Sequence, residues 1–361
     1  MSPSRKVSLP TGGATCTVQL IDTGARISKL PASFLIEPPI MGCEYLPTIP
    51  SWVFLITSPT GRNVVFDLGI PTDWQNLAPI VGNNLKPRGW DIQAEKDVTD
   101  ILKQHDVSPN AINSVVWSHW HWDHIGNLAR FPSSTDIVVG PGFKDAFLPG
   151  YPVKGDSPMR EEDFSGRELR EMTFEGESTL QIGQFRAFDF FGDGSFYLLD
   201  TPGHAIGHLA GLARTTTSPD TFVFLGGDLC HHSGEIRPHA SLHIPGDVLQ
   251  SHAQDWNCAC AKTMFDILQT TRGMPVGEPF FIPSMGHSIE EAIRTIKKAQ
   301  ELDIDENVLL IYAHDDAFVD LADQFPLTLN DWKEKGLRER VRWTFLKDFK
   351  DAVEAQTQSQ S

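Results

Sequence analysis

Residues 118–124, with the sequence SHWHWDH, place three histidines and an aspartate within a span of six residues. His119 and His121 are two residues apart, so in an extended segment their imidazoles point the same way and can hold one metal ion. Asp123 and His124 follow at the next turn and can face a second ion. Neutral imidazoles combined with a carboxylate oxygen suit zinc, with manganese, cobalt or iron as alternative occupants. The spacing therefore predicts a metal site.

One segment cannot complete two metal sites, so further ligands are expected downstream. His204, Asp228 and His314 each follow an apolar run that is typical of a strand. Asp228 has two carboxylate oxygens, which could bridge two ions. A single histidine after a strand is more often an ordinary hydrogen-bonded residue. The three positions in this order, each at a strand end, nevertheless favour a two-metal centre.

The elements that must position these residues are short apolar strands separated by helices. Strands are predicted over 17–21, 52–57, 63–67, 114–118, 136–139, 195–199, 208–213, 221–225 and 308–312. Several are apolar throughout, as expected of strands that are covered on both faces. Helical periodicity predicts helices over 94–104, 289–302 and 329–350. Ser288 with Glu291 is the capping signal of the second helix.

Composition limits the partners and the cellular location. The chain of 361 residues has 30 Lys and Arg against 47 Asp and Glu, a net charge of −17 that disfavours binding to nucleic acid or anionic membranes. No apolar run is long enough for a membrane span. The N-terminus lacks the apolar stretch of a secretory signal, so we expect a cytoplasmic protein. Five scattered cysteines do not indicate disulfides, and Cys258 and Cys260 are interpreted as structural thiols.

We expect one domain over 1–361 with a disordered tail at 351–361. The irregular stretches 141–178 and 231–286 are predicted to wall a pocket. A small-molecule substrate is expected to fill that pocket. The aromatic candidates for its wall are Trp120, Trp122, Phe143, Phe147 and Trp256.

These motifs identify the chain as similar to the metallo-β-lactamase-fold hydrolase superfamily over about residues 15–325. The resemblance implies an α/β fold, an αββα sandwich with a binuclear metal site at the edge of its two sheets. It also implies two Zn²⁺ per chain, one held by His119, His121 and His204, the other by Asp123, His124 and His314, with Asp228 bridging. Asp67 resembles the family's early aspartate, which would orient a ligand imidazole.

The run from His204 to His208 most resembles the intracellular lactonase-like and lactamase-like branch. In quorum-signal lactonases a tyrosine shortly after the bridging aspartate steadies the substrate carbonyl. Here Cys230, His231 and His232 occupy that place. Either histidine could replace the tyrosine, and the alternative is that both belong to the pocket wall. His208 is assigned to supporting the site.

The favoured hypothesis is a zinc-dependent hydrolase in which a metal-bridging hydroxide opens a lactone or lactam. Asp123 could also shuttle the proton, because a ligand carboxylate has a spare oxygen. A second hypothesis is thioester hydrolysis, as in glyoxalase-II-like or carrier-protein thioesterases. A third is iron-dependent persulfide dioxygenation, against which the complete second ligand set counts. A fourth is a metal-stabilised scaffold without activity.

Overall fold

The computed structural model describes residues 7–256 and 261–360, so Cys258 and Cys260 lie outside the described residues. Within those ranges the strands are, in chain order, β1 (Thr17–Ile21), β2 (Arg26–Ser28), β3 (Ile36–Glu37), β4 (Val53–Thr57), β5 (Asn63–Phe66), β6 (Asp91–Gln93), β7 (Ile112–Val116), β8 (Asp136–Val139), β9 (Leu169–Glu171), β10 (Leu180–Ile182), β11 (Phe185–Asp189), β12 (Phe196–Asp200), β13 (Leu209–Thr216), β14 (Thr221–Leu225), β15 (Ile282–Pro283) and β16 (Val308–Ile311).

The α-helices of the same ranges are α1 (Pro79–Leu85), α2 (Val98–Gln104), α3 (Phe143–Phe147), α4 (Glu161–Phe164), α5 (Gly246–Asp255), α6 (Ala261–Thr270), α7 (Ile289–Ile304), α8 (Phe318–Leu321), α9 (Leu337–Val341) and α10 (Lys350–Gln360). Short 3-10 helices cover Ala32–Phe34, Trp74–Asn76, Lys86–Arg88, Pro109–Ala111, Leu128–Arg130, Ser233–Glu235 and Thr344–Phe349.

Most of the described strands form two six-stranded sheets. The first has the order β1-β4-β5-β7-β8-β9 and the second β10-β11-β12-β13-β14-β16. In the first sheet β4 and β5 form the predicted hairpin, with Thr57 opposite Asn63, and β7 and β8 continue it in parallel. The second sheet is antiparallel except for its last pair, β14 and β16.

The two sheets pack face to face, and helices cover their outer faces. Phe54 and Phe66 of the first sheet share a buried cluster with Phe196 and Leu225 of the second. Leu102 of α2 packs on the outer face of the first sheet, and residues of α7 pack on the outer face of the second. This arrangement confirms the expected αββα sandwich of the metallo-β-lactamase fold. It also explains why these strands are apolar throughout.

Helix boundaries follow their capping residues. α2 begins at Val98, later than predicted, because the Asp97 side chain and Asp100 form a capping box at its start. α7 begins as predicted, with the Ser288 side chain accepting from the Glu291 amide, and extends to Ile304.

The C-terminal region differs from its prediction. The expected helix over 329–350 is broken into α9 and a 3-10 helix, with Gly336 in a left-handed conformation before α9. The expected disordered tail at 351–361 is a helix, α10, over most of its length. Ala352 and Val353 are fully buried against residues from the 25–49 segment and from α6, and this packing stabilises α10. No helix in the described ranges is both long and apolar enough to cross a membrane.

Candidate metal centre

The predicted ligands meet at one edge of the sandwich. Residues 119–124 follow β7 of the first sheet, whereas His204, Asp228 and His314 follow β12, β14 and β16 of the second. The amide of Leu209 donates to the Ser118 carbonyl at 2.7 Å, which joins the two sheets at this edge. Ligands that are far apart in sequence are therefore fixed by neighbouring strand ends.

Two groups of side chains face each other there. The first is His119, His121, His204 and Asp228, and the second is Asp123, His124 and His314. In the first group His204 Nε2 lies 3.2 Å from His119 Nε2 and 2.9 Å from His121 Nδ1. In the second, His314 Nε2 lies 3.6 Å from an Asp123 oxygen. Ligand atoms of one tetrahedral zinc ion are about 3.3 Å apart, because each bond is about 2.0–2.1 Å long.

Asp228 stands between the two groups. Its Oδ1 lies 3.1 Å from His124 Nε2 and 3.2 Å from His314 Nε2. Its Oδ2 lies 3.5 Å from His204 Nε2 and 3.7 Å from His119 Nε2. His314 Nε2 also lies 3.3 Å from Oδ2. The carboxylate of Asp228 is therefore within reach of imidazoles from both groups, which is compatible with a bridging role.

Asp67 and Ser118 fix two of the imidazoles. The Ser118 amide and hydroxyl donate to the Asp67 carboxylate at 2.6 and 2.7 Å, and His124 Nδ1 donates to it at 2.9 Å. Because the Ser118 hydrogen is used in this way, its oxygen accepts from His119 Nδ1 at 3.0 Å. With Nδ1 engaged in this way, both imidazoles direct Nε2 at the site, where its lone pair could bind a metal ion. The Asp67 backbone has a positive φ of 60°, a rare conformation for a non-glycine residue.

His208 and the Pro50 carbonyl provide two further anchors. His208 Nδ1 donates to the Thr201 carbonyl at 2.9 Å, and its Nε2 accepts from the Asp228 amide at 3.0 Å. His208 therefore positions Asp228 rather than the ions. His314 Nδ1 donates to the Pro50 carbonyl at 2.7 Å, which leaves its Nε2 directed at Asp228.

A glycine allows Asp228 to approach this network. Gly227 has a positive φ of 53°, and a Cβ there would lie 2.9 Å from the Ser118 Cβ and 3.0 Å from His208 Nε2. A side chain at this position would therefore displace Ser118 or His208 from the network.

Burial sets the charge of the cluster. Burial and the neighbouring imidazoles lower the pKa of His119 and His204 well below its usual value, and burial lowers that of His121 to about 3. Burial by itself raises the pKa of Asp228, but the charges of His124 and His314 outweigh it and hold that pKa well below its usual range. The neutral imidazoles of His119, His121 and His204 are in the protonation state that a metal ion needs. Burial by itself lowers the pKa of His124 and His314, but the charge of Asp228 outweighs it and raises both, so a metal ion in the second group would replace the protons of these two imidazoles.

The donor set fits a pair of metal ions. His124 Nε2 and Asp228 Oδ1 are buried without a geometrically acceptable hydrogen-bond partner, although they lie 3.1 Å apart. Three imidazole nitrogens of the first group approach one another, and their neutral state gives them lone pairs that repel. A cation between such groups satisfies both features.

The side chains of the adjacent residues His231 and His232 point in different directions, one towards Asp228 and the other away from it. His231 Nε2 lies 3.3 Å from Asp228 Oδ2, its ring is 4.8 Å from that of His204, and it lines the cavity described below. His232 turns away, with Nδ1 accepting from the Gly234 amide and Nε2 lying 3.2 Å from the Asp348 carboxylate. It packs on aromatic rings at 281, 345 and 349. The structure therefore brings His231, but not His232, to the site.

An apolar cavity of about 450 Å³ opens onto the ligands. Its wall includes His121, Asp123, Asp228, His231 and His314. The remaining lining residues are Ile27, Leu30, Phe34, Leu35, Ile49, Ile80, Val81, Asn84, Leu85, Arg88, Trp90, Trp120, Trp122, Pro158 and Met285. Of the stretches 141–178 and 231–286, only Pro158, His231 and Met285 are among these described lining residues.

Only some of the predicted aromatic residues line this cavity. Trp120 and Trp122 do so, whereas Phe143, Phe147 and Trp256 are buried in hydrophobic clusters. Phe34 and Trp90 were missed because nothing in their local sequence marks them. Ser118 was also missed, although its place directly before His119 was a usable signal.

The comparisons with known proteins agree with this geometry. Residues 46–216 match the family model described as the metallo-beta-lactamase superfamily. The chain is 39% identical to gamma-lactamase FDB1 of Fusarium pseudograminearum over 95% of this chain and 84% of that protein. It is 40% identical to the metallo-hydrolase mfmC of Annulohypoxylon moriforme over 97% of this chain and 92% of that protein. A solved N-acyl homoserine lactone hydrolase with bound N-hexanoyl-L-homoserine shares the fold, with a TM-score of 0.56 and 19% identity over 87% of this chain and 99% of that one.

Proposed function

Since this chain belongs to the metallo-β-lactamase superfamily and is a metal-dependent hydrolase, we propose that it opens the ring of a small lactone or lactam at a two-zinc centre. The observation that carries the proposal is the continuity of the two ligand groups with a single apolar cavity, in which a ring can lie against Asp228 and His231. Relatives named gamma-lactamase and N-acyl homoserine lactonase support this class of substrate.

The distances between the side chains support the following ligand roles. His119, His121 and His204 would hold one ion, Asp123, His124 and His314 the other, and Asp228 both. When bound, two such ions supply a hydroxide nucleophile at neutral pH and polarise the carbonyl that it attacks. Asp67, Ser118 and His208 hold the ligand side chains in place through the hydrogen bonds described above.

Two residues of the chain would act on the substrate itself. His231 lies on the cavity wall with Nε2 3.3 Å from Asp228 Oδ2, and its Nδ1 has no hydrogen-bond partner among the described residues. It is placed to donate to the substrate carbonyl as negative charge develops on its oxygen. Asp123 is also on the wall, and the carboxylate oxygen that an ion does not use would be available to carry a proton to the leaving group.

The cavity indicates the shape of the ring substituents. Its wall away from the ligands is aliphatic and aromatic, so an apolar or aromatic body would be desolvated there. The cytoplasmic location and the absence of nucleic-acid and membrane partners stay predictions from the sequence.

The test uses a matched pair of rings, 3,4-dihydrocoumarin and 3,4-dihydro-2-quinolinone, which differ in the ester oxygen or amide nitrogen. Ring opening by the zinc-loaded protein is followed by proton release, with chelator-treated protein as the blank. We expect chelator-sensitive opening of at least one ring, and the favoured member identifies the leaving atom.

An acyl-glutathione thioester serves as the contrasting substrate in the same assay. Thiol release from it without opening of either ring would contradict the proposal and favour the thioesterase hypothesis. An Asp228→Ala variant that opens the rings as fast as the unaltered chain would also contradict it.

A further inference from the structure

Arg88 supplies a positive charge to the cavity wall. It is the only lysine or arginine among the described residues that line the cavity. It ends the 3-10 helix Lys86–Arg88, a segment that contributes no member of the two ligand groups. The side chain is exposed, so its charge stands at the solvent-facing side of an otherwise apolar wall.

The guanidinium is held in place by aromatic rings rather than by acids. Its central carbon lies 4.4 Å from the ring centre of Phe34 and 5.0 Å from that of Trp90. Its Nε donates to the Asn84 carbonyl at 3.2 Å. In the described ranges these contacts leave its two terminal nitrogens available to a ligand. By contrast, Arg130 and Arg237 are bound by aspartates.

We propose that Arg88 binds a carboxylate that the substrate carries away from the ring to be opened. A guanidinium presents a planar pair of N–H donors that matches the two oxygens of a carboxylate. A single cation also matches a single negative charge better than the double charge of a phosphate monoester. The stacking on Phe34 and Trp90 fixes the side chain beforehand, so little conformational freedom is lost on binding.

This inference rests on the proposed function for the identity of the ring. It adds that the substrate has two ends, a cyclic ester or amide at the metal centre and a carboxylate at Arg88, with an apolar body between them. Substrates without the distal carboxylate are then expected to bind more weakly.

The binding test uses ligands that cannot be hydrolysed, chroman-6-carboxylate and its neutral counterpart chroman-6-carboxamide. Their dissociation constants are measured calorimetrically with the zinc-loaded full chain and with Arg88→Gln, Arg88→Lys and Arg62→Gln. Arg62 is the matched control, because its guanidinium also lies over an aromatic ring, Phe191 at 5.3 Å, but it does not line the cavity. Zinc content and thermal unfolding of each variant establish that it is folded.

We expect the unaltered chain and Arg62→Gln to bind the carboxylate about ten-fold or more tightly than the carboxamide. Arg88→Gln should abolish this preference, and Arg88→Lys should retain part of it. An unchanged preference in Arg88→Gln would mean that the carboxylate binds elsewhere, for instance on the metal ions, and would overturn the proposal. Equal binding of the two ligands by the unaltered chain would overturn it as well.

Measurements of ring-opening rates distinguish a failure of this inference from a failure of the proposed function. The rates for 3,4-dihydrocoumarin and its 6-carboxylate are compared in the same four proteins. Failure to open either ring, with the Arg88-dependent binding preference present, would contradict the ring-opening function and leave the carboxylate site supported. Opening of both rings without an Arg88-dependent preference would support the ring-opening function and contradict the carboxylate site.

Discussion

The metal centre and the cavity wall are adjacent, but they are built in different ways. At the metal centre a hydrogen bond to a residue in a segment that flanks a strand fixes each of His119, His124, His314 and Asp228. The cavity wall is made of apolar contacts from the segments around Phe34 and Trp90 and contains few polar anchors.

This difference indicates that the two regions have different roles, positioning of the metal ligands in the first and binding of the substrate in the second. A hydrogen-bonded frame holds ligand atoms to within tenths of an ångström, as metal chemistry requires. Apolar contacts depend on area and not on direction, so a wall of such contacts can change its residues without disturbing the ligands. Substitutions in the two regions should therefore affect different quantities, metal content and rate in the first and substrate affinity in the second.

The largest effect is expected from Asp228, which faces both ligand groups. Asp228→Ala should lose one or both metal ions and lower kcat/KM on the order of 10³-fold or more, because the Asp228 carboxylate lies close to imidazoles of both ligand groups. Metal analysis and ring-opening kinetics measure this. The matched control is Asp200→Ala, which removes a buried carboxylate that is paired with Arg186. Full metal occupancy in Asp228→Ala would contradict the expectation that substitutions at the metal centre change metal content.

The adjacent histidines provide the next comparison. His231→Ala should lower kcat about 10²-fold with metal content unchanged, as expected on removal of a hydrogen-bond donor to the developing oxyanion. His232→Ala should leave kcat within about two-fold but lower the free energy of unfolding by about 1–3 kcal/mol, because that ring packs among aromatic residues beside Asp348. Steady-state kinetics and denaturant unfolding separate the two. Equal losses of rate in both variants would show that the loop acts as a unit.

A substitution of Asp67 tests whether hydrogen bonds to the ligand side chains contribute to metal affinity. Asp67→Asn should weaken metal binding about 10- to 100-fold, since the amide no longer accepts from the Ser118 and His124 donors as a carboxylate does. Asparagine tolerates a positive φ, so the backbone conformation at this position is retained. Competition with a chromophoric chelator gives the affinity. Unaltered affinity would mean that strand geometry alone orients His124.

The two regions also differ in what the sequence could predict. Residues 119–124, His204, Asp228 and His314 were predicted because their residue types are uncommon in that spacing and each follows a recognisable strand. The roles of His231 and His232 could not be separated from the sequence. The two residues are adjacent, and only the backbone conformation of the folded loop decides which side chain faces Asp228. Phe34, Arg88 and Trp90 were not predicted as wall residues, because their approach depends on tertiary packing of segments with no periodic signal. The tail helix was missed for the same reason, since the packing of Ala352 and Val353 stabilises it.

The smallest effect is expected on the wall itself. Ile80 lines the cavity and remains 41% exposed, so Ile80→Ala should raise KM for an apolar lactone about three-fold without changing kcat or metal content. Val153→Ala is the matched control, because Val153 is an exposed aliphatic residue, at 69%, that does not line the cavity. Initial rates over a range of substrate concentrations resolve KM from kcat. A fall in kcat with unchanged KM would imply that the wall also positions the ring for attack, and the separation between a rigid frame and an adaptable wall would then not hold.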